Sequence, residues 1–251
     1  MKLRRVRVRL LHDLLTRGLD ENGQLRDSVA HPEQFKESTL GRIPNDWCVR
    51  MIEECCSEVV DCPHSTPNFR ETGVLVARTM HIKDGRFDEH LASRVSEAEY
   101  LERIARLRPQ SGDVIFTREA PAGEAFVVPN GMRICLGQRV MLFRPRQNEV
   151  IGDYLVAQIY SEAARRRIDA LTGGTTNPHL NVAEVRRFPI PVPRPAEQER
   201  IVEAIRTSEK SIVAEGFVLR KLHARSLGLM ADLLTGRVRV PESFFAAKSH
   251  A

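Results

Sequence analysis

The sequence lacks both a long apolar run and a recognisable leader. No stretch of about 18 consecutive apolar residues occurs, so no transmembrane helix and no membrane partner is predicted. The basic residues 1–9 are interleaved with apolar ones, and no small-residue cleavage site follows, which is not typical of a secretory signal. With 251 residues, of which 42% are hydrophobic and 28% charged, the composition excludes a disordered or collagen-like polymer. We therefore expect one or two cytoplasmic domains.

Cysteine is scarce, since five cysteines in a chain of 251 residues do not make a disulfide framework. Cys48, Cys55, Cys56 and Cys62 lie near His64 in the sequence, which raises the question of zinc. Adjacent thiols and a seven-residue gap do not match the paired C-x2-C spacing of a structural zinc site. The sequence favours free thiols, and we expect no metal and no cofactor in this chain.

The motifs of several enzyme classes are also missing. There is no nucleotide-binding G-x-x-x-x-G-K-[ST] or G-x-G-x-x-G loop, no H-E-x-x-H and no G-x-S-x-G. Metal-dependent nucleases usually carry a carboxylate-x-lysine pattern, in which an Asp or Glu lies two positions before a Lys. None of the lysines in this chain has an Asp or Glu at that position. Residues 177–179 are similar to the Asn-Pro-Pro-aromatic loop of DNA methyltransferases but lack its second proline and its aromatic residue. We expect no catalysis by this chain; the alternative is a stand-alone metal-dependent DNA endonuclease or DNA methyltransferase using the His64 or Asn177 region.

Lysine is rare beside arginine, with 6 lysines against 32 arginines. Guanidinium groups suit phosphates and guanine edges, but a GC-rich genome produces the same bias, and both interpretations remain open. Residues 40–195 carry 21 basic and 20 acidic residues, so this segment is nearly neutral. Because this segment carries little net charge, a scaffold without a nucleic-acid role is a further hypothesis beside the enzyme alternative.

An internal repeat links the two ends of the chain. Residues 10–18 recur as residues 229–237 with the same Leu, Asp, Leu, Leu and Thr in place. Each copy is typical of a helix that ends at glycine. The match is either a chance similarity between two leucine-rich helix ends or the sign of one period of a tandem design.

The second copy ends a long predicted helix that starts after Pro195 and reaches Gly236, roughly 60 Å at about 1.5 Å per residue. Apolar residues recur along it every seven positions, in two rows: Ile205, Ile212, Leu219, Leu233; and Ile201, Leu222, Leu229. Ser208, Glu215 and Ser226 interrupt these rows. A helix of this length exceeds what a small domain covers, which favours a coiled coil over packing on its own domain.

The predicted fold class is α/β: a short N-terminal helix, one mixed α/β domain and the long coiled-coil-forming helix. The predicted boundaries are 1–39 for the short helix and linker, 40–195 for the domain, 196–236 for the long helix and 237–251 for the tail. Strands are predicted at 74–77, 113–117, 125–128 and 139–143. A capping box of Ser96 with Glu99 predicts a helix over 97–107, and Asn181 with Glu184 predicts a short third helix. Between them, Asp153 is predicted to cap a helix over 154–171, along which Leu155, Ile159 and Ile168 form an apolar stripe. Residues 189–193, with three prolines, are predicted to form a stiff extended connector.

Polar loops supply the candidate DNA-binding residues. In each loop, amides, hydroxyls and Asn side chains could hold a phosphate or face a groove, whereas the alternative is that they only cap helices and close turns. For each arginine, the alternative is a surface ion pair. The candidates are His64, Ser65, Thr66, Arg78, Thr79, Arg118, Gln138, Arg139, Thr175, Thr176, Asn177, His179 and Asn181.

An ordered series of segments carries a resemblance to a known family. The segments are 40–47 (LGRIPNDW), 112–118 (GDVIFTR), 174–181 (GTTNPHLN), 188–193 (FPIPVP) with Glu197-Gln198, and 233–236 (LLTG). Together they resemble the specificity subunit of type I restriction-modification enzymes, over nearly the whole chain. The resemblance implies target-recognition domains that alternate with long helices, each domain reading one half of a split DNA site.

The resemblance also implies partners. Double-stranded DNA, a methyltransferase subunit that holds S-adenosylmethionine, and a restriction and translocation subunit are expected, with catalysis confined to those subunits. The chain departs from the family pattern because it contains only one recognition domain. It thus resembles a half-size subunit or the C-terminal portion of a longer one, and we expect a homodimer or a pair with another half-specificity subunit.

Overall fold

The computed structural model describes residues 2–173 and 179–239, and the chain divides into two compact units, one ending at Ala204 and the other beginning at Ile205. The helices are α1 (Lys2–Thr16), α2 (Ile52–Cys55), α3 (Glu97–Arg103), α4 (Gly152–Ile159), α5 (Glu162–Thr172), α6 (Val182–Arg186) and α7 (Pro195–Leu234). The strands are β1 (Phe35–Ser38), β2 (Gly41–Pro44), β3 (Cys48–Met51), β4 (Cys56–Asp61), β5 (Val74–Ala77), β6 (Ile82–Lys83), β7 (Arg86–Phe87), β8 (Arg94–Val95), β9 (Val114–Thr117), β10 (Ala125–Val127), β11 (Ile134–Leu136), β12 (Val140–Pro145) and β13 (Pro189–Val192). The mixed α/β class with a long C-terminal helix is thereby confirmed.

The central sheet is antiparallel, in the order β10-β9-β12-β4. Strands β9, β10 and the first four residues of β12 are largely apolar, and β9 is buried along its whole length, whereas the edge strand β4 also carries polar, exposed residues. Such runs indicate strands covered on both faces. Ile115 and Leu142 pack with Phe126 and Ile134 in the core of the first unit.

A second sheet, in the order β11-β5-β8, packs beside the central one. Its β11 runs parallel to β5, with Leu136 opposite Ala77. Ile134 and Leu136 share one core cluster with Leu75 and Ala77, whereas Val76 and Cys135 lie in a second cluster on the other face. The strands predicted within 74–77, 113–117, 125–128 and 139–143 all form.

The proline-rich segment 189–193 is extended, as predicted, but it is a strand of a sheet and not a mere connector. Its β13 pairs antiparallel with β3, with Pro189 opposite Met51 and Val192 opposite Cys48. The prolines alternate with Ile190 and Val192, so the residues that retain an N–H recur at every second position, as a strand ladder requires. Alternation therefore makes a strand possible where the proline count suggested none.

Two helix predictions need correction. The predicted helix 154–171 is two helices, because the Ser161 hydroxyl accepts a hydrogen bond from the Ala164 N–H and begins α5 anew. Asp153 does not cap α4; Ile151 occupies that position, without a side-chain hydrogen bond. The predicted helix 97–107 ends at Arg103, after which the chain leaves the helix to cross toward β9.

The two copies of the repeat end their helices in the same way. In α1, Gly18 follows two residues after the last helical residue with φ +65°, and in α7, Gly236 does so with φ +70°. A left-handed residue here suits glycine, which has no Cβ to clash.

The long helix changes character along its length. Ile201 and Val202 are buried in the first unit, so Ile201 serves the domain core instead of an intermolecular seam. From Val213 onward the large apolar side chains of α7 are exposed, with Leu219 66% and Leu222 55% exposed. The coiled coil remains a prediction. No helix within the described ranges is long and apolar enough to cross a bilayer.

Candidate nucleic-acid interface

The ends of four strands meet at one edge of the two sheets. Ala77 at the end of β5 lies beside Leu136 at the end of parallel β11. At the start of β12, Val140 is paired with Thr117 of β9, and Met141 is paired with Asp61 of β4. The loops that follow β4, β5, β9 and β11 therefore converge, and with them most of the candidate DNA-binding residues.

Gln138 joins two of these loops. Its Nε2 donates to the carbonyl oxygen of His64 at 3.0 Å and to the Thr66 hydroxyl at 3.2 Å. The preceding Gly137 donates its N–H to Ala77 O at 2.8 Å, and a Cβ there would lie 2.6 Å from the same oxygen. Within the part of the chain that the structure describes, Gln138 Oε1 has no hydrogen-bond partner, so it remains an available acceptor.

Two further arginines lie at this edge, the exposed Arg139 and the half-buried Arg78. The Arg139 Nε lies 3.2 Å from Glu119 Oε2, and the Arg139 side chain is 57% exposed. Arg78 lies over the Phe69 ring, 4.5 Å from its centroid, and donates to Ser93 Oγ at 3.1 Å. Arg139 thus forms an ion pair, as in the alternative given for it, whereas Arg78 contacts an aromatic ring and a hydroxyl. Among the described residues, each guanidinium keeps N–H donors without a hydrogen-bond partner.

Arg118 has a different environment. Its Nε and Nη2 donate to the two carboxylate oxygens of Asp61 at 3.1 and 3.3 Å, and its Nη1 donates to Leu180 O at 3.1 Å. The residue is 8% exposed. The Arg118 guanidinium is thus bound within the protein. Its ion pair is buried, whereas the alternative for this residue was a surface ion pair.

The loop after β4 is held by an arginine that the sequence analysis missed. Arg103, at the end of α3, donates to Leu136 O at 3.0 Å and to Ser65 O at 2.7 Å, and its side chain is 2% exposed. The four-residue spacing between Glu99 and Arg103 was a visible signal of their ion pair, but not of the long-range contacts. His64 in the same loop is exposed and lies 3.7 Å from Asp61.

The segment after residue 178 also reaches this edge. His179 forms an isolated bridge with Glu119, and Leu180 donates its N–H to Arg118 O at 2.9 Å. Asn181 begins α6 by a reciprocal capping box with Glu184, with both hydrogen bonds at 2.8 Å, so its side chain is used as a cap. Thr175, Thr176 and Asn177 lie outside the described residues. Thr79 is half-buried in the short turn after β5.

Four of the five cysteines are buried thiols. Burial raises the pKa of Cys55 to about 11 and that of Cys56 and Cys135 to about 12, and it also raises the pKa of Cys62. All five are free, and Cys48 is exposed. Among the residues that the structure describes, no group of three or more His, Cys, Asp or Glu side chains is placed to hold a metal ion.

Comparison with known proteins gives a consistent match. A family model described as the type I restriction modification DNA specificity domain matches residues 47–215. The MjaVIII specificity subunit of Methanocaldococcus jannaschii is 23% identical over 248 residues, which covers 95% of this chain and 55% of the relative. The putative MjaX specificity subunit of the same organism is 24% identical over 224 residues, covering 84% and 51%.

Solved structures share the fold. The HsdS subunit from Thermoanaerobacter tengcongensis superposes with a TM-score of 0.51 at 19% identity, over 85% of this chain and 47% of that subunit. A chain from a type I R-M system complex gives a TM-score of 0.53 at 19% identity, over 91% and 52%. The chain thus spans about half the length of the curated relatives it matches.

Proposed function

This chain belongs to the type I restriction-modification DNA specificity family, and from that premise we propose that it reads one half of a split DNA site through the edge where its strand ends converge. The observation that supports this most directly is the junction at Gln138. One side chain ties the loop after β4 to the loop before β12, and Arg78 and Arg139 stand at neighbouring strand ends. Guanidinium forks and amides are the groups that read base edges in the major groove.

We propose different roles for two sets of residues, one that holds the loops and one that contacts the bases. Arg118, Asp61 and Arg103 fix the loops by internal hydrogen bonds, whereas Gln138 and Arg139 present groups that face outward. Because the Gln138 amide nitrogen is engaged, its oxygen suits a donor such as adenine N6 or cytosine N4. We propose that a rigid inner set of residues holds an outer set in register with the bases.

The proposed partners are double-stranded DNA, a methyltransferase subunit and a restriction subunit. The chain itself would carry out no chemistry, and S-adenosylmethionine would bind to the methyltransferase subunit. We propose the cytoplasm, where the DNA lies, as the site of action. The exposed apolar side chains of α7 beyond Val213 fit docking to another helix, which supports the coiled-coil proposal.

A split-site reader needs two recognition domains, and residues 40–195 supply one. Two copies of this chain, or this chain and another half-specificity subunit, would complete the pair. A two-fold homodimer would read the same half-site twice in opposite orientations, so its target would be a palindrome interrupted by a spacer.

Mapping methylated positions in the host genome with and without this gene tests the function. The expected result is the loss of one split motif, restored by the wild-type gene and altered or lost with Gln138→Ala. An unchanged methylome would refute the proposal. Incubating the purified chain with DNA, S-adenosylmethionine and divalent metals tests the alternative, because turnover without partner subunits would identify an enzyme.

A further inference from the structure

A cleft of about 570 Å³ lies along the segment that connects α3 to β9. Among the described residues, its lining contains no aspartate or glutamate but four arginines: Arg106, Arg108, Arg133 and Arg144. Residues 40–195 as a whole are nearly neutral, with 21 basic and 20 acidic residues, so this concentration of one charge is a local feature.

Two of the four charges are compensated and two are not. Arg144 donates to Asp113 at 2.8 Å, and Arg133 donates to Glu97 at 2.6 Å. Among the described residues, Arg106 donates only to a backbone oxygen, that of Asp61, at 3.3 Å. Within the described ranges, the exposed Arg108 side chain has no hydrogen-bond or ion-pair partner. The cleft therefore keeps a surplus of about two positive charges, one from each uncompensated guanidinium group.

The cleft begins at the edge where the candidate base-reading loops lie. Arg106, which lines the cleft, donates to Asp61 O at the end of β4, and Arg103, just outside the lining, donates to Ser65 O in the loop after β4. From there the segment crosses to the opposite edge, where Gln110 N–H donates to Asp113 at 2.9 Å just before β9. A four-residue strand such as β9 spans about 13 Å, and one DNA strand carries a phosphate about every 3.4 Å along the helix axis. The path is thus long enough to reach more than one phosphate of a DNA strand.

We infer that this arginine cleft binds the sugar-phosphate backbone of duplex DNA beside the bases read at the converging loops. The inference depends on the proposed DNA-reading function. It adds a phosphate-binding site whose lining contains none of the proposed base-reading residues. One feature favours DNA over an acidic protein surface, namely that the cleft starts beside the proposed base-reading edge. Planar guanidinium groups match phosphate oxygens in a bidentate geometry, as they also match carboxylates.

The test uses the full chain and a fluorescent mixed-sequence duplex, titrated over a series of salt concentrations. We expect Arg106→Ala and Arg108→Ala each to weaken binding equally for all sequences and to reduce the slope of log K against log salt by about 1. The double variant is expected to reduce the slope by about 2. Arg108→Lys should retain most of the slope, because it keeps the charge. Neither arginine is buried, so the thermal midpoint should not change.

Arg166→Ala is the matched control. Arg166 is an exposed arginine in α5 whose ion-pair partner in the described part of the chain is Glu162 on its own helix, and its removal is expected to leave the slope unchanged. If the wild-type chain shows no salt-dependent DNA binding, the proposed function fails together with this inference. If the wild type binds and the two variants keep its slope, only the cleft inference fails. Variants that bind DNA normally but lose the methyltransferase subunit would identify the cleft as a protein-docking surface and overturn the inference.

Discussion

Arg118, directly after β9, and Asp61, at the end of β4, form a bidentate ion pair at the proposed DNA-reading edge. The distances are 3.1 and 3.3 Å, and the two side chains are 10% and 14% exposed. Since β9 and β4 are separated by β12 in the sheet, the pair links strands that are not neighbours. The ion pair fixes the relative position of the loops after β4 and β9, and the proposed base contacts depend on that position.

Removing one member of this pair is expected to destabilise the fold. Arg118→Ala leaves the Asp61 carboxylate shielded from water without its partner, which costs about 3 kcal/mol in comparable cases. Arg139→Ala is the control, because its ion pair with Glu119 is more exposed and worth about 1 kcal/mol or less. Urea unfolding of the two variants measures the difference, and equal losses would contradict the structural role of Arg118.

Gly18 is expected to tolerate no side chain. A Cβ there would lie 2.2 Å from Glu197 Oε1 and 2.4 Å from the Trp47 ring, and both of those residues are buried. Gly23 has a similar left-handed φ, +75° against +65°, with no atom within 4 Å of its Cβ position. Gly23→Ala should cost about 1–2 kcal/mol from backbone strain alone. Gly18→Ala should cost a further 1–3 kcal/mol from overpacking, which the free energy of unfolding of the two variants will measure.

Thiol chemistry is expected to distinguish Cys48 from the other four cysteines. Burial raises the pKa of Cys55 to about 11 and that of Cys56 and Cys135 to about 12, from an ordinary 9.0. At mildly alkaline pH a thiol reagent should modify Cys48 rapidly in the native chain and all five cysteines only after denaturation. Rapid modification of more than one thiol in the native state would contradict the burial of the others.

The same shifts set a dependence of stability on pH. Between pH 9.0 and about 12 the unfolded chain loses thiol protons that the folded chain retains, so the unfolded state binds fewer protons. The free energy of unfolding must then fall as the pH rises through this window. Cys48→Ser should remove the rapid native reaction and leave this alkaline decline in place.

Local signals predicted local structure well. The Ser96 cap of α3, the Asn181–Glu184 capping box and the buried runs of the central sheet could all be read from neighbouring residues. The break at Ser161 was also a local signal, a cap followed by Glu162, but the apolar stripe across it suggested one helix. The pairing of β13 with β3 joins residues about 140 positions apart, which periodicity cannot reveal.

The candidate site was predicted in part, for the same reason. Gln138, Arg139 and Arg78 were chosen as polar residues at strand ends, and the sheet order brings them to one edge. Sequence alone did not separate Arg118 from Arg139, although one is 10% and the other 57% exposed as a side chain. Which arginine finds a buried carboxylate depends on the register of β4 against β12, a tertiary contact.

Base recognition is expected to depend on Gln138. Once the methylated motif is known, Gln138→Ala should lower the preference for the correct base at one position by about 1–3 kcal/mol, as the loss of one good base contact does. Competition between duplexes that differ at single base pairs measures this. Arg166→Ala serves again as the control, since it lies on α5 and pairs on its own helix. A uniform loss of affinity at every position would indicate that Gln138 only holds the loops.

The exposed half of α7 yields the last prediction. Leu222 and Leu229 are spaced by one heptad, and each is 55% exposed, so a partner helix that covered them would remove apolar surface from water. Covering the exposed half of one leucine contributes about 1 kcal/mol, and a homodimer carries the substitution in both copies. The total loss of about 2 kcal/mol, at 1.4 kcal/mol per factor of ten, means that Leu222→Gln should weaken self-association roughly thirtyfold. Sedimentation of the full chain, alone and with the methyltransferase subunit, measures this. Arg220→Gln, two positions away and outside both apolar rows, is the control. If the wild-type complex contains a single copy of this chain and the methylated site is asymmetric, homodimerisation is refuted, and α7 must pair with a different half-specificity subunit.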